Sequence, residues 1–166
     1  MDSLVYNLSL GPGYSGFTKM VEAIDLPAEE LAKVCQWHKD RYQRIRIYDT
    51  EGLEALVTCW EPGQKGLIHN YKFQQGWLKI LKGELKLEYF MKPTQNPKPY
   101  NTTSIKKGEV SYLNDNLGYH RFANHGKERC VALHFYSDKI KRWQVFDEDS
   151  GKIEEIETTC DRSVEI

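Results

Sequence analysis

With 166 residues, 40% of them hydrophobic and 28% charged, and a net charge of -1, the chain fits one ordinary soluble domain with its own core. That balance offers no basic surface for nucleic acid or an anionic membrane, and no run reaches the roughly 18 apolar residues of a membrane span. Aromatic content of 12%, with ten Tyr and four Trp, suits a β-rich fold lined by large side chains.

In chain order, MDSLVYNLSLGPGYSG has no basic n-region and only a short apolar run, so no signal peptide is expected. Residues 1–40 read as a helical segment packed on the remainder. Gly11, Pro12 and Gly13 mark a turn, and Phe17, Met20, Val21 and Ile24 recur at helical spacing. Pro27 suits the first turn of a second helix, with Leu31, Val34, Cys35 and either Trp37 or His38 facing inward.

From residue 41 to 166 the texture is that of short strands. RIRIY (44–48), EALVTCW (54–60), GLIHNYKF (66–73), GWLKILKG (76–83) and ELKLEYF (84–90) come first. EVSYL (109–113), HRFAN (120–124), RCVALHFYS (129–137) and RWQVF (142–146) follow, and the tail after Gly151 is expected to add one more. The loop at 92–102, with three prolines, is the longest irregular connection. Trp60, Trp77, Phe90 and Phe135 read as core, and Lys79, Lys82 and Lys86 with Glu84 and Glu88 as a solvated face. Many short strands without a βαβ rhythm predict a mainly β, single-domain barrel or jelly roll preceded by N-terminal helices. The four cysteines, Cys35, Cys59, Cys130 and Cys160, form no CxxC pair, and reduced thiols in the cytoplasm are expected.

Of five histidines, His38 and His125 fall at a helix end and a turn and receive no role. The others lie on strands. Gly63, His69, Tyr71, Gly76 and Gly83, then Gly108, Asn114, Gly118, His120 and Asn124, resemble the two signature motifs of the cupin superfamily. The logic of such motifs is geometric: positions i and i+2 of a strand share a face, and a facing strand supplies a third ligand.

The ordered set RYQR (41–44), CW (59–60), IHNY (68–71), WLKILKGELK (77–86), YLNDNLGYHR (112–121) and LHFYS (133–137) is more specific. It resembles the thiol dioxygenase family that includes cysteine dioxygenase. That resemblance implies a cupin β-barrel, a mononuclear Fe(II) bound by three histidines, and use of O2 to convert a small thiol such as L-cysteine to a sulfinic acid. It matches His69 and His120 to two of the ligands and puts Tyr71 at the third. It matches Arg44 and Tyr42 to the groups that hold the substrate carboxylate, a task suited to a planar guanidinium. Arg44 and Arg46 alternate with Ile45 and Ile47, and the motif favours Arg44 as the inward one. Tyr136 matches an active-site tyrosine and His134 its supporting histidine. The cysteine that crosslinks to that tyrosine in animal enzymes is Gly76 here, so no Cys–Tyr crosslink is expected. A supporting serine becomes Ala132, and a proline becomes Asp138. Small-molecule thiol and O2 are the expected partners, and the chain is expected to be a monomer.

Tyrosine ligates a metal only as phenolate, and with an ordinary pKa of about 10 the metal itself must displace the proton. Three readings of Tyr71 stand open: a ligand in an altered site, a residue filling the ligand space, or a bystander to chemistry run on two histidines and a water. They lead to different functions. One is a thiol dioxygenase, another a divergent cupin that binds a small carboxylate, and a third a cupin enzyme with another substrate.

Overall fold

The computed structural model describes residues 15–50, 52–71, 74–114, 118–137 and 139–164; the turn expected at Gly11, Pro12 and Gly13 and the altered position Asp138 lie outside them. Two helices, α1 (Ser15–Ala23) and α2 (Ala28–Val34), lead into the strands. These are β1 (Gln43–Thr50), β2 (Leu53–Trp60), β3 (Ile68–Asn70), β4 (Gln75–Lys82), β5 (Glu84–Phe90) and β6 (Asn101–Lys106). After them come β7 (Val110–Asn114), β8 (Tyr119–Ala123), β9 (Cys130–Tyr136), β10 (Arg142–Phe146), β11 (Ile153–Glu157) and β12 (Arg162–Ser163). They form two six-stranded sheets, ordered β12-β1-β2-β9-β4-β7 and β11-β10-β3-β8-β5-β6. This is the mainly β jelly-roll barrel preceded by helices that the strand pattern predicts.

The sheets close on one another because both inner faces are apolar: Leu56, Leu78 and Ile80 of the first meet Leu85, Leu87 and Phe122 of the second. Each such side chain contributes about 1.5–3 kcal/mol on leaving water. The first sheet is buried on its other face too. There Val57, Trp77, Leu133 and Phe135 pack beneath Val21 of α1 and Leu31 and Val34 of α2. Double burial explains why β2 and β9 read as nearly continuous apolar runs rather than alternating ones.

Several local expectations change in the fold. Lys79 is not on a solvated face: its buried ammonium donates to the Glu22 and Ile24 carbonyls at the end of α1. This satisfies carbonyls that a helix C-terminus leaves orphaned. Met20 turns to solvent while Phe17 stacks on Trp77. Strand β6 was hidden inside a polar stretch, NTTSIK, because it is a sheet edge with mainly exposed side chains. The tail supplies two strands rather than one: β11 pairs with β10, and β12 lies parallel to β1. At the β4–β5 turn Gly83 has φ +75 and a Cβ there would lie 2.8 Å from the Arg129 carbonyl, so glycine is required twice over. All four cysteines are free thiols.

Candidate functional site

Strands β3 and β8 pair through one contact, His69 opposite His120, and this sets the centre of the site. Directly opposed residues share a face, so both imidazoles enter the barrel, where their ring centres lie 4.4 Å apart. The His69 Nδ1–H donates to the Leu67 carbonyl at 2.9 Å. A carbonyl only accepts, so His69 carries its proton on Nδ1 and its Nε2 lone pair is available. His120 Nε2 is buried and, among the described residues, has no hydrogen-bond partner. The Trp143 indole N–H is likewise buried without a partner, and an unmatched imidazole nitrogen in such an interior is free to take a ligand.

Tyr71 follows β3 on the same face as His69. Its ring centre lies 4.6 Å from that of His120 and 5.4 Å from those of His69 and Tyr136. Its hydroxyl hydrogen-bonds that of Tyr136. Burial, and then Tyr136, push the Tyr71 phenol well above its ordinary pKa, so it is a neutral phenol. Burial likewise raises Tyr136 to about 12. The reverse holds for the imidazoles, where burial disfavours the charged form: His69 falls to about 4, His134 to about 3, and His120 well below its usual value. All three are neutral bases at pH 7.

Beyond the imidazoles lies a wall built from Trp143 and Arg44. Trp143 of β10 stacks on His69 with ring centres 4.3 Å apart, and the Arg44 guanidinium lies 4.3 Å from the same indole. Arg44 is the inward arginine, 8% exposed, whereas Arg46 pairs with Glu54 at 3.0 Å. Among the described residues no carboxylate pairs with the Arg44 side chain. Asp161 accepts the Arg44 backbone N–H and is engaged by the exposed Arg41, and Glu54 is taken by Arg46. Tyr42 hydrogen-bonds Arg44 and stacks on Trp60 with ring centres 3.9 Å apart.

Tyr42, Arg44 and Trp143 line two spaces. On their outer side is an open cavity of about 320 Å³, rimmed by Gly66, Leu67 and Asp161. On their inner side is a space of about 20 Å³, bounded by His69, Tyr71, His134 and Tyr136. The inner space has room for about one water molecule.

Every residue singled out from sequence therefore converges here: His69, His120, Tyr71, Arg44, Tyr42, Tyr136 and His134. Trp143 and Thr58 were not singled out. Trp143 sits in an ordinary strand pattern, RWQVF, with no signal of its role. Thr58, a lone hydroxyl in the apolar run EALVTCW, was a detectable oddity, but only the strand register shows what it faces.

A family model for cysteine dioxygenase type I matches residues 15–149. The chain belongs to that family. Cysteine dioxygenase type 1 of Danio rerio is 28% identical over 138 residues, which cover 80% of this chain and 69% of the relative. Two solved structures share the fold. A Klebsiella pneumoniae protein with a double-stranded β-helix domain superposes with a TM-score of 0.57 at 16% identity, covering 69% of this chain and 92% of its own. An RmlC-like cupin from Desulfovibrio desulfuricans gives 0.53 at 12% identity, covering 68% and 96%.

Cysteine dioxygenases depend on iron, and the donors here suit it in part. His69 and His120, with ring centres 4.4 Å apart, are the two imidazoles that would hold it. The third donor is a neutral phenol already engaged with Tyr136. No group of three His, Cys, Asp or Glu suited to a metal occurs among the described residues. The donor set thus fits a two-imidazole site and not a three-nitrogen face.

Proposed function

We propose that this protein is a thiol dioxygenase-type oxidoreductase whose pocket takes a small thiol-bearing carboxylate such as L-cysteine, with O2 as second substrate and a sulfinic acid as product. The stoichiometry closes without a further reductant: one thiol takes up both atoms of one O2. The observation that carries the reading is Arg44, a buried guanidinium without a carboxylate partner among the described residues, joined through Trp143 to His69. Burying a charge unpaired is costly, and the cost is offset when an anionic ligand completes the pair.

In this reading Arg44 holds the substrate carboxylate by its planar fork, and Tyr42 steadies the guanidinium by a hydrogen bond. Trp143 keeps guanidinium and imidazole in fixed register. His69 and His120 would hold iron, which supplies the centre at which thiolate and O2 meet. Tyr136, backed by His134, presents its hydroxyl to the inner space. Tyr71 limits that space and offers the metal no third nitrogen, so weak iron binding belongs to this proposal.

A second reading, a carboxylate-binding cupin without dioxygenation, is favoured by Tyr71 itself, a neutral phenol beside an inner space of about 20 Å³. The deciding experiment loads the protein with ferrous iron under anaerobic conditions, adds cysteine and then O2, and measures sulfinate and O2 uptake. Equimolar sulfinate and O2 support the oxidoreductase. Neither, together with thermal stabilisation by cysteine or other small carboxylates, supports the binding protein.

A further inference from the structure

Thr58 and Ala132 are direct partners across β2 and β9, so their side chains leave the sheet on the same inner face. The family resemblance gives position 132 a serine; here the hydroxyl stands across the strand pair, at position 58. It is the hub of a buried network. Trp60 Nε1–H donates to Thr58 Oγ1 at 2.9 Å. Thr58 Oγ1 lies 3.4 Å from the Ala132 carbonyl and 3.0 Å from His134 Nε2. His134 Nδ1 in turn lies 3.4 Å from the Tyr136 hydroxyl.

A threonine hydroxyl has one proton to give and two lone pairs to offer. The indole only donates, so it occupies one lone pair; the Ala132 carbonyl only accepts, so it takes the proton. With the hydroxyl proton on that carbonyl, the lone pair left over faces His134 Nε2, an arrangement that calls for the ring proton on Nε2. His134, neutral in the folded protein, has no second proton, so its Nδ1 is an acceptor for the Tyr136 O–H. The Tyr136 oxygen is then open to a hydrogen bond donated by Tyr71. One direction of protons runs through the whole set: Tyr71 to Tyr136 to His134 to Thr58 to the Ala132 carbonyl.

We propose that Thr58 is a positioning residue for this pocket: it fixes the Nε2–H tautomer of His134 and thereby orients the Tyr136 hydroxyl, the task that a hydroxyl at position 132 would otherwise serve. The proposal rests on the reading above that Tyr136 faces the bound ligand, but the tautomer itself is readable without turnover.

The test uses metal-free protein with 15N-labelled histidine, in which long-range proton–nitrogen spectra report which ring nitrogen of His134 is protonated, its signals assigned by their loss in His134→Asn. Wild type and Thr58→Ser should show Nε2–H. Thr58→Val, which keeps shape and removes the hydroxyl, should lose that pattern, and Thr58→Ala combined with Ala132→Ser should regain it. In turnover, Thr58→Val should lower kcat roughly 10- to 100-fold with KM little changed, as loss of an orienting partner does, and the swap should recover it. An Nδ1–H tautomer in the wild type overturns the proposal, as does a Thr58→Val protein that keeps Nε2–H. If Thr58→Val fails to fold, the wild-type and swap spectra decide alone. Absence of sulfinate from every variant, with the tautomer behaving as stated, sinks the dioxygenase reading and leaves Thr58 in its part.

Discussion

His69 and His120 oppose each other across β3 and β8 with ring centres 4.4 Å apart, one tied through Nδ1 to a carbonyl and the other with a buried Nε2 lacking a partner among the described residues. In the proposed function these two imidazoles would hold iron, and the neutral phenol of Tyr71 takes the place of a third nitrogen. Tyr71→His should therefore raise iron affinity at least about tenfold and increase sulfinate formation from cysteine. The check is iron per chain after anaerobic reconstitution and dialysis, beside product analysis. Unchanged iron occupancy would mean that Tyr71 is not what limits the site.

Acid should destabilise the metal-free protein in a defined window. His69 and His134 are held near pKa values of about 4 and about 3, and His120 well below its usual value, in each case first because burial disfavours imidazolium. In the unfolded chain the same groups take protons near pH 6.5. Between those values the unfolded state binds more protons, so stability is complete above about 6.5 and falls as the pH drops toward 4. The loss is on the order of 3 kcal/mol for each of His69 and His134 by pH 4. Urea denaturation from pH 8 to 4 measures it, and His134→Asn should flatten the slope. Equal stability at pH 7 and 5 would contradict buried neutral imidazoles.

The barrel was legible because its strands are bounded by turn residues, and because the spacing from Gly63 to Gly83 and from Gly108 to Asn124 follows the two cupin motifs in plain order. His69 and His120 stand out from that order, whereas Arg44 and Tyr136 lie outside both stretches and were marked only by the family resemblance. What escaped depends on register. Nothing local in EALVTCW or RCVALHFYS says that Thr58 lies opposite Ala132, since that pairing joins residues far apart in the chain. Trp143 reaches His69 only because β10 pairs with β3 at Val145 and His69. Polar edge strands such as β6 escape for another reason: with one side chain buried there is little apolar alternation to read.

In the proposed function Arg44 would set affinity at a cost to the ligand-free fold. Its guanidinium is buried on Trp143 without an ion pair among the described residues. Arg44→Met keeps much of the volume and removes the charge. It should leave the free protein as stable as wild type or more stable by about 1 kcal/mol, while abolishing stabilisation by cysteine and simple carboxylates. Arg44→Lys keeps the charge but loses the fork, and should weaken binding about tenfold or more. Thermal melts with and without ligand separate the two effects. A destabilised Arg44→Met protein that still responds to carboxylates would remove Arg44 from the binding role.

Gly76 and Tyr71 should prove to be coupled. Gly76 lies opposite Tyr136 on β9, and a Cβ there would sit 3.1 Å from Tyr136 Cε1 and 3.3 Å from Tyr71 Cε2. The Tyr136 contact belongs to any side chain at position 76, whereas the Tyr71 contact exists only because a six-membered ring occupies position 71. In wild type, Gly76→Cys must push aside two buried rings, for about 1–3 kcal/mol of destabilisation. After Tyr71→His the smaller imidazole withdraws one of those walls, and Gly76→Cys should cost less by about 0.5 kcal/mol or more. A double-mutant cycle by urea denaturation, using the wild type, both single variants and the double variant, measures that difference. Additivity within about 0.5 kcal/mol would show that the glycine is required by Tyr136 alone, and that Tyr71 and Gly76 are independent features of the pocket.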